Sequence, residues 1–240
     1  MNFRRIQRAL AIVASAFLGL LSSTVQAADS ASAPLKIGII GSGRIGSALG
    51  EFWVKAGHDV MFSSLDLAHD KELAAKLGAK AGTPAEAAAF GEVLLVSVPY
   101  TALPQIGRDY AASIRGKVVL DTCNPIEARD GPVAVAAREK GTGVASAELL
   151  PGARLVRAFN EVGAAKLRSE TNRAGEKIAI PLAADDKAAL QVAIRLVKDA
   201  GFEPVVIGGL DTAKTFDVGT VVFGKALTAS ELRRALGIAQ

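Results

Sequence analysis

Residues 36–49 read KIGIIGSGRIGSAL. An apolar run is interrupted by glycines at Gly41, Gly43 and Gly46, and a helix-like segment follows at once. A strand that turns on G-x-G-x-x-G into a helix is the frame in which a backbone cradles a dinucleotide pyrophosphate. Gly41 permits the tight turn, and Gly43 lets backbone N–H groups of the Ser42–Ile45 stretch approach the anion. Gly46 lets the helix pack closely on the strand. The helix N-terminus adds unpaired N–H groups and the positive end of the helix dipole. The alternative is a structural turn of an α/β fold that holds no ligand.

The rest of the chain repeats the same alternation. LKIGII (35–40), HDVMFSS (58–64), EVLLVSVP (92–99), KVVLDTCNP (117–125), ARLVRAFN (153–160), EKIAIPLA (176–183) and FEPVVIG (202–208) read as buried strands. Between them lie helical segments at 45–57, 70–78, 83–91, 185–201 and 228–237. Gly57, Gly78 and Gly201 stop three of these helices, and Thr83, Pro84 and Glu86 form a capping box with proline at the first position. Leu190, Ala193, Leu196 and Val197 share one face of the 185–201 helix. This order predicts an α/β fold, a Rossmann-like, doubly wound and mostly parallel sheet with helices on both faces.

The second strand selects among dinucleotides. NAD binders place a carboxylate at its end, where it accepts from the ribose 2′-OH. Ser63 and Ser64 stand there instead, so no carboxylate is expected to repel a 2′-phosphate, and both hydroxyls can donate to one. Arg44 offers a counter-charge or is simply solvated. NADP is favoured. Asp66 is close enough in sequence that a change of register would favour NAD.

The N-terminus carries an address. MNFRRIQR is basic, ALAIVASAFLGLL is apolar, and Val25-Gln26-Ala27 is a small-x-small end, so residues 1–27 read as a secretory signal cleaved after Ala27. Residues 9–21 fall short of the roughly 20 that a spanning helix needs. No stable membrane insertion is therefore expected after cleavage, an uncleaved anchor being the alternative. Arg4-Arg5 matches in part a twin-arginine export signal, which carries folded proteins with their cofactors, although Gln7 departs from that pattern. A periplasmic or secreted location follows. Residues 28–34 read as a flexible leader, and residues 35–240 as one domain.

Charge narrows the partners. Residues 1–27 hold Arg4, Arg5 and Arg8 and no acid, so of 28 basic and 24 acidic side chains the mature chain keeps 25 and 24, a net of +1. No basic stripe accompanies that balance, and nucleic acid is not expected as a partner. One cysteine, Cys123, allows no internal disulfide, and two histidines, His58 and His69, leave little for a metal centre or a histidine-based hydrolase.

Taken in order, KIGIIGSGRIGSAL, AGHDVMFSS, LLVSVP, VVLDTCNP and PGARLVRAFNEVGA resemble the deazaflavin (coenzyme F420)-dependent NADP oxidoreductases, over residues 35 to about 227. The NADPH domain of STEAP-type metalloreductases is a similar module. The resemblance implies a single Rossmann-like domain, with pyrophosphate at Gly41–Ile45 and 2′-phosphate near Ser63 and Ser64. It also implies that Val98, Pro99, Asn124 and Asn160 border the nicotinamide. Three residues depart from it: Leu65 where many relatives carry Arg, Glu161 where a threonine or similar small residue is usual, and Cys123 where a small apolar residue is commoner.

A small-molecule redox acceptor is expected, whether flavin-like, deazaflavin or metal chelate, and the fold is compatible with a homodimer. No acid–base pair is evident in the sequence, so the catalytic residues stay open. Asp121 reads as a loop-bonding acid, and Glu161 as either a catalytic acid or an exposed helix-start residue. Cys123 reads as a small buried residue or a redox thiol. Tyr100 either stacks on the cofactor or covers the sheet, and His58 reads as structural. Hydride passing between two conjugated rings asks the protein mainly for orientation and exclusion of water. The alternative function is a non-catalytic exported module that binds a nucleotide at the same loop.

Overall fold

The computed structural model describes residues 33–238. The signal segment and nearly all of the leader lie outside the described residues.

Strands β1 (Lys36–Ile40), β2 (Asp59–Ser63), β3 (Lys80–Ala81), β4 (Val93–Val96), β5 (Val118–Asp121), β6 (Arg154–Arg157), β7 (Ala179–Ala183) and β8 (Glu203–Gly208) form one sheet in the order 3-2-1-4-5-6-7-8. The helices are α1 (Arg44–Lys55), α2 (Leu67–Leu77), α3 (Pro84–Phe90), α4 (Leu103–Asp109), α5 (Ala111–Ile114), α6 (Glu127–Asp130), α7 (Pro132–Lys140), α8 (Thr142–Leu149), α9 (Ala164–Glu170), α10 (Lys187–Asp199) and α11 (Ala229–Leu236). β1 to β6 pair in parallel, and β7 meets β6 antiparallel at the single register Arg157↔Ala183 before pairing in parallel with β8. The fold is thus α/β and Rossmann-like, as the alternation of segments predicted.

Both faces of the sheet are buried, which explains why the strands read as continuous apolar runs. Ile37 and Ile39, Val93 and Leu95, Val118 and Leu120, and Val156 face α1 and α10. Leu94 and Val96, Val119 and Leu155 face the other way, with Tyr100, Leu103 and Leu150. Trp53 Nε1 donates to Leu196 O at 2.9 Å and ties α1 to α10 on the same face of the sheet.

Helix boundaries follow the expected chemistry. Thr83 and Glu86 form the capping box of α3, and Gly78 ends α2 in the left-handed conformation. α2 begins earlier than its sequence suggests, because the Asp66 side chain caps it by accepting from His69 N. The structure adds β3 and the helices α4 to α9, for which the chain carries no strong periodic signal.

The order reverses beside β1: the chain leaves β1 toward β2 and β3 on one side, then returns to β4 on the other. At that reversal, loops from the carboxyl ends of β1 and β4 diverge and leave a crevice, the usual ligand position in an open α/β sheet.

Candidate functional site

The loop after β1 is shaped by two close approaches. Gly41 has φ +101°, and a Cβ there would lie 2.2 Å from Ser97 O of the loop after β4. A Cβ on Gly46 would lie 2.1 Å from Gly41 O. Each position therefore tolerates no side chain, the first also for its left-handed backbone. Gly43 differs: nothing lies within 4 Å of an added Cβ, because it faces the open crevice.

Gly43 is the N-cap of α1, no side chain caps that helix, and no acid stands in its first turn. The N–H groups of Gly41 and Ser42 already donate to Ser63 O, at 2.9 and 3.0 Å. The first-turn N–H groups, from Gly43 to Gly46, have no intrahelical acceptor and face the crevice rim. An open backbone edge, uncapped N–H groups and the positive helix end together fit a pyrophosphate.

The crevice runs between Gly43, Arg44 and Ile45 on one side and Ser97, Val98 and Pro99 on the other, with Thr122, Asn124, Ile126 and Arg129 at its floor and far rim. Arg44 is exposed and makes no ion pair among the described residues. Arg129 pairs with buried Asp130 at 2.7 Å and donates to Asn124 O. Its guanidinium holds the Asp130 carboxyl below the usual range.

Ile45, Thr122 and Asn124 also line a second cavity of about 350 Å³, walled by Asn160, Glu161, Gly163, Lys166, Phe223 and Gly224. The two spaces share those three residues and so adjoin.

The floor is set by one buried cation. Arg157, at the end of β6, is wholly buried and donates to Asp121 Oδ2 (3.0 Å), Cys123 O (2.5 Å), Asn124 Oδ1 (3.0 Å) and Asp217 Oδ1 (3.2 Å). Asp121 Oδ1 also accepts from Cys123 N, the loop-bonding role its position suggested. Asn124 Nδ2 donates to Asn160 O at 2.7 Å, so its side chain joins two loops at the crevice.

Several expected residues take other places. Ser63 is fully buried, and its hydroxyl donates to Ile39 O at 2.6 Å; it lies beneath the loop and cannot face a 2′-phosphate. Ser42 is buried as well, donating to Asp70 Oδ1, and Ser64 donates to Asp70 Oδ2 at 2.8 Å. A carboxylate therefore does stand at the end of β2, contrary to the sequence reading. It comes from Asp70 on α2, buried and bridging the glycine loop to β2.

Tyr100 is buried with its hydroxyl against Ser146 Oγ at 3.3 Å, part of the core rather than the crevice. Burial pushes its phenol up to about 12. Burial, aided by Asp121, also raises the Cys123 thiol well above its ordinary value. That leaves a neutral thiol, inert as a redox nucleophile. His58 Nδ1 accepts from Leu35 N at 3.1 Å and its Nε2 meets Asp199 Oδ2 at 3.0 Å, away from the crevice, as a structural residue.

Glu161 is neither exposed nor at a helix start: it is 3% accessible, and α9 begins at Ala164 behind Gly163. Phe159 before it adopts φ +57°, with its ring packed edge-on to Trp53 and Phe202. The anchored ring turns the chain so that Asn160 and Glu161 enter the cavity wall. Asn160 Oδ1 and both Glu161 oxygens are buried without hydrogen-bond partners.

Comparison with known proteins agrees with this architecture. Residues 36–125 match the family described as NADP oxidoreductase, coenzyme F420-dependent. The F420-dependent NADP reductase of Methanothermobacter marburgensis is 30% identical over 199 residues, covering 76% of this chain and 88% of the relative. Among solved structures, a hypothetical protein of Sinorhizobium meliloti superposes with TM-score 0.70 at 25% identity, covering 82% of this chain and 96% of that one. A protein of Arthrobacter sp. FB24, provisionally assigned as an F420-dependent NADP reductase, superposes with TM-score 0.66 at 19% identity, over 81% and 99% of the two chains, a likeness of fold. By the identity to the Methanothermobacter reductase across most of both chains, this protein belongs to the family of coenzyme F420-dependent NADP oxidoreductases.

Proposed function

We propose that the protein binds NADP(H) along the crevice and exchanges hydride between its nicotinamide and a deazaflavin of the coenzyme F420 class seated in the adjoining cavity. The observation that carries this reading is the adjacency of two spaces: the crevice over Gly43 and the 350 Å³ cavity share Ile45, Thr122 and Asn124 in their walls. A dinucleotide laid from the glycine loop would end beside room for a second ring. The Methanothermobacter relative, an F420-dependent NADP reductase, supports the pairing of substrates.

In this reading the first turn of α1 and Arg44 hold the phosphates, and Val98 and Pro99 pack against the nicotinamide. Bound NADPH supplies a hydride. The chain's own part is to orient the two rings and to exclude water, through the Arg157-ordered loop at 122–125 and the Phe223–Gly224 wall. Preference for NADPH over NADH is shallow, because Arg44 favours a 2′-phosphate while the Asp70 carboxylate opposes it. Flavins and metal chelates are the other acceptors to be screened.

Export rests on the N-terminal sequence alone. We infer a mature chain beginning at Ala28, loaded with nucleotide before or after transport.

Titration of the purified protein with NADPH, followed by mixing with coenzyme F420, tests the reading. Gly43→Val supplies the control. An added Cβ there meets no protein atom within 4 Å, so the variant is expected to fold, while its side chain would occupy the proposed pyrophosphate position. NADPH binding is expected to vanish with only a small fall in the thermal midpoint, since valine caps α1 less well than glycine; unchanged affinity would move the nucleotide elsewhere.

A further inference from the structure

The proposed function leaves the Glu161 carboxyl without a task. It is wholly buried in the wall of the acceptor cavity, and neither oxygen has a hydrogen-bond partner in another residue. Its backbone carbonyl accepts from Gly224 N at 2.7 Å, so the outer wall of the cavity hangs from the same residue. An ionised carboxylate so placed would be desolvated and unpaired, which costs several kcal/mol in order of magnitude, and a neutral acid avoids most of that cost.

The charged groups around it do not rescue the anion. Arg157 on β6 attracts it, but Asp121 and Asp217 already neutralise that guanidinium. Lys166 of α9 lines the same cavity, Lys225 follows Gly224, and Arg44 and Arg129 stand at the crevice, and none of these cations forms an ion pair with Glu161 among the described residues. Burial outweighs the residue's own backbone N–H and the Arg157 charge, both of which favour the anion, and the Glu161 carboxyl is pushed up to about 8.

We propose that Glu161 is the proton donor of the reaction, a neutral acid in the acceptor cavity that protonates the deazaflavin ring as it receives hydride. The proposal rests on the function assigned above. Hydride delivers two electrons to a ring carbon, and the displaced electron pair moves to a conjugated ring nitrogen. That nitrogen takes the proton from the Glu161 O–H, whose bond breaks to leave a carboxylate, and water restores the proton. The net change is NADPH, deazaflavin and H⁺ giving NADP⁺ and the two-electron-reduced deazaflavin. A desolvated carboxylic acid is a competent donor near neutral pH, and a positioned acid of this kind contributes about 100-fold or more to rate.

Two measurements test it. The first is infrared difference spectroscopy of the nucleotide-free protein. A protonated-carboxyl band is expected at neutral pH that disappears with a midpoint near 8, is absent in Glu161→Gln, and shifts when NADP⁺ and coenzyme F420 are added together. The second is single-turnover oxidation of NADPH by coenzyme F420. The wild-type rate should fall as pH rises through about 8. Glu161→Gln should be about 100-fold slower with that limb gone, while its NADPH affinity stays within roughly twofold. A wild-type protein with no titrating acid band, or with a rate flat across this range, overturns the proposal even if the variant does not fold. So does a variant with wild-type rate and pH profile. A wild-type protein that fails to bind NADPH or to reduce coenzyme F420 overturns the proposed function, and the acid role with it.

Discussion

Leu65 stands fully exposed at the turn after β2, beside Ser64 and above the buried Asp70. It packs against nothing, so its replacement costs the fold little, and in the proposed binding mode an arginine there would meet the 2′-phosphate. Leu65→Arg should tighten NADPH by about tenfold and leave NADH nearly unchanged, since one charge-assisted hydrogen bond at a partly exposed site is worth about 1.5 kcal/mol. Parallel titrations of both nucleotides check this; equal gains for the two would mean that the arginine meets something other than the 2′-phosphate. The neighbouring serines show what sequence could and could not tell at this scale. The tight turn at Gly41 and the close approach at Gly46 were legible because their spacing falls between a strand and a helix. Ser63 was misjudged because both faces of a parallel sheet are buried, so no alternation says where a side chain points. Asp70 was missed because it reaches Ser42 across 28 positions of sequence, from a helix rather than from the strand end.

Among the elements, the ends of β5 and β6 depend on a single side chain. Arg157 holds Asp121 beneath one loop and Asp217 beneath another, and Asp217 in turn accepts from Thr142 N at the start of α8. Arg157→Met would keep the volume and leave two buried carboxylates uncompensated. Breaking a buried ion pair from one side costs about 3–5 kcal/mol, so the urea midpoint should fall markedly, and NADPH affinity should fall with it as the 122–125 loop loosens. A loss under about 1 kcal/mol would show that water or rearrangement satisfies those acids. The sequence announced β5 and β6 by their apolar runs, yet gave no sign that an arginine closing such a run would be buried. It also gave no sign that β7 runs against β6, because pairing direction is decided by the whole connection through α9. The helices α4 to α9 are short, four to nine residues each, and most contain several small or polar residues. Such segments have too few large apolar residues to show a 3.6-residue period.

For the molecule as a whole, the buried acid couples stability to pH. Glu161 is ionised in the unfolded chain above about 4.5 and stays protonated in the folded one up to about 8. Between those values the folded state holds the extra proton, so stability falls with rising pH, by about 1.4 kcal/mol per unit at most. Its contribution is complete below about 4.5 and gone above about 8. Glu51, Asp130 and Asp186 act in the opposite sense, because Lys55, Arg129 and Arg154 hold their carboxyls low. They lose their share only on the acid side of the ordinary carboxylate range, outside this window. Glu161→Gln keeps the shape and cannot ionise, so subtracting its stability curve from the wild-type curve cancels every group the two proteins share. The difference should be near zero at about pH 4.5 and should grow to a few kcal/mol in favour of the variant by about pH 8. Urea unfolding at a series of pH values measures it. Parallel curves would mean that Glu161 is already ionised in the folded protein, and a cavity wall able to hold that anion would have to contain a cation or water that moves in to meet it.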